Sequence, residues 1–434
     1  MPHPTAIGNV DGSGWSDIGW SPMNRMLRST LVTCCIVFLT ATVHARPYPG
    51  QTGMAAAADS ASTAGTNPAG ITRFKSRTMQ VELLAFFSDN TWEGDIGNSG
   101  LGFKSDTTNT TILPTSYVVQ PINDEWTFGF TILGMGFSED FGDWPGKYIV
   151  ETFDLIYLSA FPSLAYRVND KLSVAASLAL TYTKYEQERA VLNPLDPGFG
   201  EGSMKIDADG ATVGFGLSAL YQFTDRTRVG LIYRSELDPE LEGGADFSGL
   251  GPNTEALLTG AGLIDADVDM SSRTPQSVIA GLYHEFDNGH AVTVDVIWSD
   301  FSKFKLSEKY INGTSISDSS VEYDDIFAFS VSYTWPVNER WMLGVGGFYA
   351  ADMIEDENRT LALRLDSMWS LGVGFEWQWT DNRTLGASIS YIGIGDAPVT
   401  SPTIPGLGAI TGEYTSRDII QMSIGVTFAK GGSG

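Results

Sequence analysis

The sequence predicts an all-β chain: a transmembrane β-barrel of about 14 antiparallel strands, its lumen plugged by a small N-terminal hatch with short helices. Three observations predict it. Aromatic and small residues alternate with a period of two, short Asn/Asp-rich turns recur between longer loops, and an apolar leader precedes a run of very small residues.

The leader comes first. Arg25 and Arg28 precede the apolar run 31–39, and Val43-His-Ala45 has the spacing of a secretory cleavage site. The run is far shorter than the ~20 residues of a membrane-spanning helix. Residues 1–45 therefore read as a signal peptide, with translation starting at Met23 or Met26. Cys34 and Cys35 lie inside it, so residues 46–434 carry no cysteine and no disulfide framework is expected.

Without Arg25, Arg28, Asp11 and Asp17, the chain keeps 24 basic against 50 acidic side chains, still −26. Such a surface repels nucleic acid, which is not an expected partner. Aromatics at 12% and 48 glycines are an unusual pair for a soluble acidic protein.

Alternation settles the class. Trp369, Leu371, Val373, Phe375, Trp377 and Trp379 alternate with Ser370, Gly372, Gly374, Glu376 and Gln378. Val213 to Phe223, Phe327 to Trp335 and Ile420 to Phe428 repeat the pattern, broken only by Leu220. The second face is mostly Gly, Ser and Thr, which suits a wall with lipid outside and a polar lumen inside. Six short turns, at 122–125, 168–171, 224–226, 287–290, 337–340 and 380–383, punctuate these segments. Asn and Asp tolerate the left-handed backbone of tight hairpins. Six turns with two strands and a long loop between each successive pair, and two more strands at each end, imply 14 strands, and closure leaves no unpaired edge in lipid. Glu139, Asp140, Glu240, Glu242, residues 265–269 and residues 352–357 are expected in the long outer loops, placing the negative charge outside.

Residues 46–76 read as a periplasmic hatch, 77–428 as the barrel and 429–434 as a short tail. The segment 55–70, AAAADSASTAGTNPAG, is too small to build its own core but fits a polar lumen. Met54 and Ala55 to Ala58 are good helix formers, so a short helix is expected just after Gly53. Asn67-Pro68 should end it and Gly70 should turn the chain toward the wall.

This alanine-rich run, Asp59 and then Asn67-Pro68-Ala69-Gly70 are similar to the hatch signature of FadL-type long-chain fatty acid and hydrocarbon transporters. Residues 229–235 (VGLIYRS), 274–283 (TPQSVIAGLY) and 295–303 (DVIWSDFSK) resemble further strands of that family. The resemblance implies a passive outer-membrane transporter of hydrophobic small molecules. Substrate would be captured among outer loops, released by hatch movement and passed sideways through a gap at a kinked third strand. Gly129, Gly134 and Gly136 on the third strand are the candidates for that kink, since glycine permits a bulge. Val191, Leu192, Leu195 and Phe199 of one loop, with Phe247, Leu250, Leu257, Leu258, Leu263 and Ile264 of the next, are the candidate apolar groove. Pro252 should open a short helix carrying Leu257 and Leu258. Arg234, Arg417 and Glu376 fall on lumen-facing positions as candidate polar contacts. Partners implied are the hydrophobic substrate, outer-membrane lipid and lipopolysaccharide, and the barrel-assembly machinery, with the chain a monomer.

His284 and His290 both flank one predicted periplasmic turn, so no Ser–His catalytic pair is expected and no enzyme is read. No His/Cys cluster suggests a metal or other cofactor; Asp207-Ala-Asp-Gly210 and residues 265–269 read as solvated acidic stretches. The alternative from another class is a non-transporting surface receptor or adhesin on the same barrel. A general polar porin is a third, which the hatch argues against.

Overall fold

The computed structural model describes residues 48–49, 52–97, 102–304, 309–311, 314–315, 322–359, 361, 365–401 and 408–430. The leader, 1–45, and the end of the tail, 431–434, lie outside the described residues.

Fourteen antiparallel strands close into one barrel. β1 (Thr78–Ile96), β2 (Phe103–Pro121), β3 (Trp126–Asp140), β4 (Thr152–Arg167), β5 (Leu172–Val191) and β6 (Gly202–Thr224) come first. β7 runs as Thr227–Arg234 and then Glu240–Ser248; β8 runs as Ala266–Ser271 and then Ser277–Glu285. β9 (Ala291–Ser299) is followed by the short pair Lys309–Ile311 and Thr314–Ser315 ahead of β10 (Ile326–Asn338). β11 (Trp341–Ala350), β12 (Met368–Thr380), β13 (Arg383–Ile394, resumed at Ala397–Thr400) and β14 (Ile410–Ala429) complete the wall. The ladder from Thr78↔Ala429 to Ile96↔Ile410 closes β1 on β14 and leaves no open edge.

All six expected turns join neighbouring strands on the periplasmic side. Asn123, Asn169 and Asn338 each accept the backbone N–H groups two and three residues on, and Thr224 does the same with its hydroxyl. Strand parity follows the sequence. Val213 is 67% exposed and Leu371 62%, far too much for core residues, and both face lipid. Trp341 stacks on Trp377 and Trp377 on Trp379 near the periplasmic turns, as an aromatic girdle should. Leu220, the one break in the alternation, points inward and packs with the hatch alanines.

The lumen is filled from both ends. Its outer half holds an apolar cluster including Trp92, Trp144, Phe153, Ile206, Val268 and Ile326. Its periplasmic half holds the N-terminal segment, with Ala56, Ala57, Ala61, Ala64 and Ile71 against Tyr117, Val119, Ala165 and Leu220.

The structure corrects several expectations. Residues 54–58 do not form a helix; the short helices of the hatch are 3-10 turns at Ala61–Ala64 and Pro68–Arg73. The reason is that the backbone groups of residues 54–57 bond to the wall instead of to each other. Asn67-Pro68 opens the second turn, with the Asn67 side chain accepting from Ala69 N, so it starts a helix as well as separating two. Gly70 lies inside that turn and makes no exit; a β-carbon there would sit 2.7 Å from the Ala58 methyl, so it is a point of close approach. Glu139, Asp140, Glu240, Glu242, Asp267 and Asp269 lie on strand extensions and not in loops. Val191 and Phe247 likewise end or sit within strands. The helix opened by Pro252 is present as α1 (Pro252–Gly260).

Candidate functional site

The hatch is tied to one side of the wall by polar groups that meet its backbone. Asp295 on β9 is 1% exposed and accepts the N–H groups of Met54 and Ala55, at 3.1 Å each, and the Ser330 hydroxyl. Arg228 on β7 donates to the carbonyls of Ala56 and Ala57 while its guanidinium lies 3.5 Å from the centre of the Tyr283 ring. Donors of one alanine run thus meet an anion and its acceptors meet a cation. Asn67 donates to the carbonyls of Ala55 and Ala219, Ala69 N donates to Ser218, and Thr72 meets Ser173. Asp59 is exposed on the same segment. Gly230 must be glycine for this docking, because a β-carbon would overlap the Ala55 carbonyl.

Above the hatch lies a cavity of about 90 Å³. The hatch forms its floor at Ala64, Gly65, Thr66 and Pro68, and Leu133, Met135, Phe161, Ile232 and Leu237 give it apolar sides. Among the described residues, its lining carries one ionisable side chain, Arg234, which donates to the Gly65 carbonyl at 3.1 Å. Ser177, Ser218, Thr274 and Ser277 supply hydroxyls. The cavity suits an apolar body with a polar or anionic end, and its one cation is bonded to the floor. Glu376 is on the lumen side of β12 and Arg417 shares the phase of Gln421 on β14, but the Arg417 side chain lies outside the described residues.

The wall beside this cavity is not uniformly paired. β1 pairs with β2 over Thr78–Gly94, and β3 with β4 over its whole length. β2 and β3 pair only from Pro121↔Thr127 to Thr115↔Leu133. Beyond Leu133 the next described link is a side-chain bond from Asn109 to Glu139, 3.1 Å long. Gly134 and Gly136 lie in this divergent stretch, and Leu113 and Met135 reach into it from the two strands. Gly136 has φ +155° and a β-carbon there would overlap the Leu155 carbonyl, so only glycine fits. Gly129 lies lower, where the ladder is intact; a β-carbon there would approach Ile71 of the hatch at 2.9 Å.

At the outer rim, loop residues 192–201 and helix α1 are fastened by the Asp196 carboxylate, with the Asn193 side chain joining the same loop to Gly249 and Gly251. Asp196 accepts from the backbone of Asn253 and Thr254 and from both their side chains, capping α1 from another loop. Burial would raise the Asp196 pKa, but these hydrogen bonds outweigh it and hold the group below the usual carboxylate range. A lowered folded pKa means the fastening is complete above the unfolded value and is lost as pH falls through the folded one. Proteolysis of the α1 loop should therefore be slow at pH 7, faster in strong acid, and fast at both in Asp196→Ala. Equal rates for the two proteins at pH 7 would refute the fastening. Leu195, Phe199 and Leu257 are all at least 50% exposed around this junction, whereas Val191, Phe247 and Leu263 pack on the inner apolar cluster. Leu192, Leu250, Leu258 and Ile264 are half-buried between these layers.

Sequence reasoning placed Arg234 in the lumen but missed Asp295 and Arg228. The available signal was a charged side chain at an inward phase of an otherwise apolar strand, as in Ala291–Ser299.

Comparison with known proteins agrees with this architecture. Residues 39–428 match the family described as outer membrane protein transport protein (OMPP1/FadL/TodX). The chain is 24% identical to the long-chain fatty acid transport protein of Escherichia coli over 389 residues, covering 80% of this chain and 83% of that one. It is 23% identical to outer membrane protein P1 of Haemophilus influenzae, with the same coverage. A solved Pseudomonas aeruginosa FadL homologue superposes with a TM-score of 0.77 at 19% identity, covering 92% of this chain and 99% of that one. The Pseudomonas putida toluene transporter TodX superposes at 0.64 with 16% identity, covering 91% and 99%. The chain therefore belongs to the OMPP1/FadL/TodX family of bacterial outer-membrane β-barrel proteins.

Proposed function

We propose that the protein carries hydrophobic small molecules across the outer membrane by diffusion, without an energy source. The observation that carries this reading is the apolar cavity seated on the hatch, beside the stretch where β2 and β3 diverge. The names of relatives as a long-chain fatty acid transport protein and as a toluene transporter support it. Leu195, Phe199 and Leu257 take substrate from outside, where exposed apolar groups cluster. Substrate then reaches the cavity, the hatch yields, and the molecule leaves sideways between β2 and β3 into lipid. Sideways exit avoids sending an apolar molecule through the aqueous periplasm, which costs roughly 25 cal/mol per Å² of exposed apolar surface.

Arg234 decides which substrates are favoured. A carboxylate would compete with the Gly65 carbonyl for its guanidinium, whereas a neutral hydrocarbon makes no such exchange. Uptake of a labelled long-chain fatty acid and a labelled monoaromatic hydrocarbon should be compared in cells with the intact protein, with Arg234→Gln, and with none. Both labels should enter faster with the intact protein, and Arg234→Gln should slow the fatty acid about tenfold, a loss of about 1.4 kcal/mol, with the aromatic unchanged. Failure of both labels to exceed the background would exclude transport and favour a surface receptor on the same scaffold.

A further inference from the structure

The periplasmic mouth of the plug gathers three arginines, of which Arg228 also ties the hatch to the wall. Arg167 ends β4, Arg228 lies near the start of β7, and Arg73 ends the second 3-10 turn of the hatch. Strand register sets the wall groups in one arc. Arg167 stands opposite Ser173 on β5, Gln222 on β6 opposite Arg228, and Arg228 opposite Tyr283 on β8. Arg73 reaches into this arc and donates to the Gln222 side-chain oxygen at 2.7 Å.

All three guanidiniums are bonded to neutral oxygens: Arg73 to Gln222, Arg167 to the Thr72 carbonyl, and Arg228 to the carbonyls of Ala56 and Ala57. Among the described residues none of the three has a carboxylate within salt-bridge distance. Asp59 of the hatch and Glu285 of β8, which accepts the Tyr283 hydroxyl at 3.2 Å, face the arc at longer range. Arg167 Nε is shielded from solvent and has no acceptor. Arg73 is exposed, so the arc is open to the periplasm. In a chain of net charge −26, three converging cations with a spare donor are an arrangement that invites an anion.

We propose that Arg73, Arg167 and Arg228 form an oxyanion-binding site at the periplasmic face of the plug, taking a carboxylate or phosphate group. Planar guanidiniums match both anions through paired N–H donors. The anion has two sources, a soluble phosphate or the head of an alkanoate at the mouth, and the arms of the test separate them.

The purified full chain in non-ionic detergent should be titrated calorimetrically with inorganic phosphate, with hexanoate and with hexanol. Binding by phosphate marks a general oxyanion site, and binding by hexanoate alone marks a carboxylate site; either supports the proposal where Arg167→Gln or Arg73→Gln weakens it. Arg167→Gln should weaken the binding at least tenfold, and Arg73→Gln, on the exposed side of the hatch, should do the same if the first variant fails to assemble. Arg340→Gln, in the exposed turn between β10 and β11, should leave it unchanged. The proposal is overturned if neither anion binds, if hexanol binds as well as hexanoate, or if Arg234→Gln, in the cavity above, alone abolishes binding. Because phosphate binding and the effect of Arg167→Gln do not involve the cavity, this outcome is separable from the transport reading.

Discussion

Asp295→Ala should uncork the barrel without unfolding it. The carboxylate accepts two backbone N–H groups of the hatch and the Ser330 hydroxyl inside the lumen. Truncation leaves those two donors buried without an acceptor, at about 1–3 kcal/mol each, so docking should weaken by about 2–6 kcal/mol. The wall itself loses little, since its strands are held by ladders on both sides of β9. Asp295→Asn keeps one acceptor oxygen but turns an amide N–H toward a donor, so it should be intermediate. Two readouts follow: faster proteolysis within residues 52–76, and higher conductance in a planar bilayer. A variant with unchanged proteolysis and conductance would show that the remaining bonds, from Arg228, Asn67 and Ser218, hold the hatch unaided. Gly230→Val tests the same docking from another direction, by steric displacement of Ala55.

Much of this was legible in the sequence, for physical reasons. Membrane strands must alternate because one face meets hydrocarbon and the other the lumen, so Trp369 to Trp379 and Ile420 to Phe428 announce both strand and orientation. The turns were equally legible because Asn123, Asn169 and Asn338 satisfy their own hairpins locally. What stayed hidden depends on long-range pairing. The alanine run has high helix propensity, yet its N–H and C=O groups are claimed by Asp295 and Arg228, some 170 to 240 residues away. Local propensity is a weak prior against such tertiary competition. The unpaired stretch of β2 and β3 was hidden for a related reason. Glycines at 134 and 136 permit a divergence, but whether two strands part is a property of the ladder and not of either sequence. Gly129 shows the limit: it looks the same in sequence, yet faces the hatch where the ladder is intact.

Bridging β2 to β3 across the divergence should stop transport reversibly. Leu113 and Met135 occupy the next inward-facing row beyond Thr115↔Leu133 if the register were continued, and both side chains point inward from strands that no longer pair there. The only cysteines of the sequence, Cys34 and Cys35, precede the hatch and barrel, so Leu113→Cys with Met135→Cys would be the only thiols of residues 46–434. Closing the pair with a short cleavable thiol-reactive linker restrains the two strands and narrows the wall at the side of the cavity that Met135 lines, without touching the hatch or the outer groove. Uptake of the preferred label should fall at least tenfold on crosslinking and recover on reductive cleavage. The uncrosslinked double variant serves as its own control for lost side-chain volume. Hatch proteolysis should stay unchanged throughout, which separates a blocked exit from a jammed plug. Normal uptake in the crosslinked protein would place the exit elsewhere, and the opening left by a displaced hatch toward the periplasm would then be the route. The two variants thus divide the mechanism: Asp295→Ala acts on the plug, the linker between positions 113 and 135 acts on the wall, and only a sideways path needs both to be free.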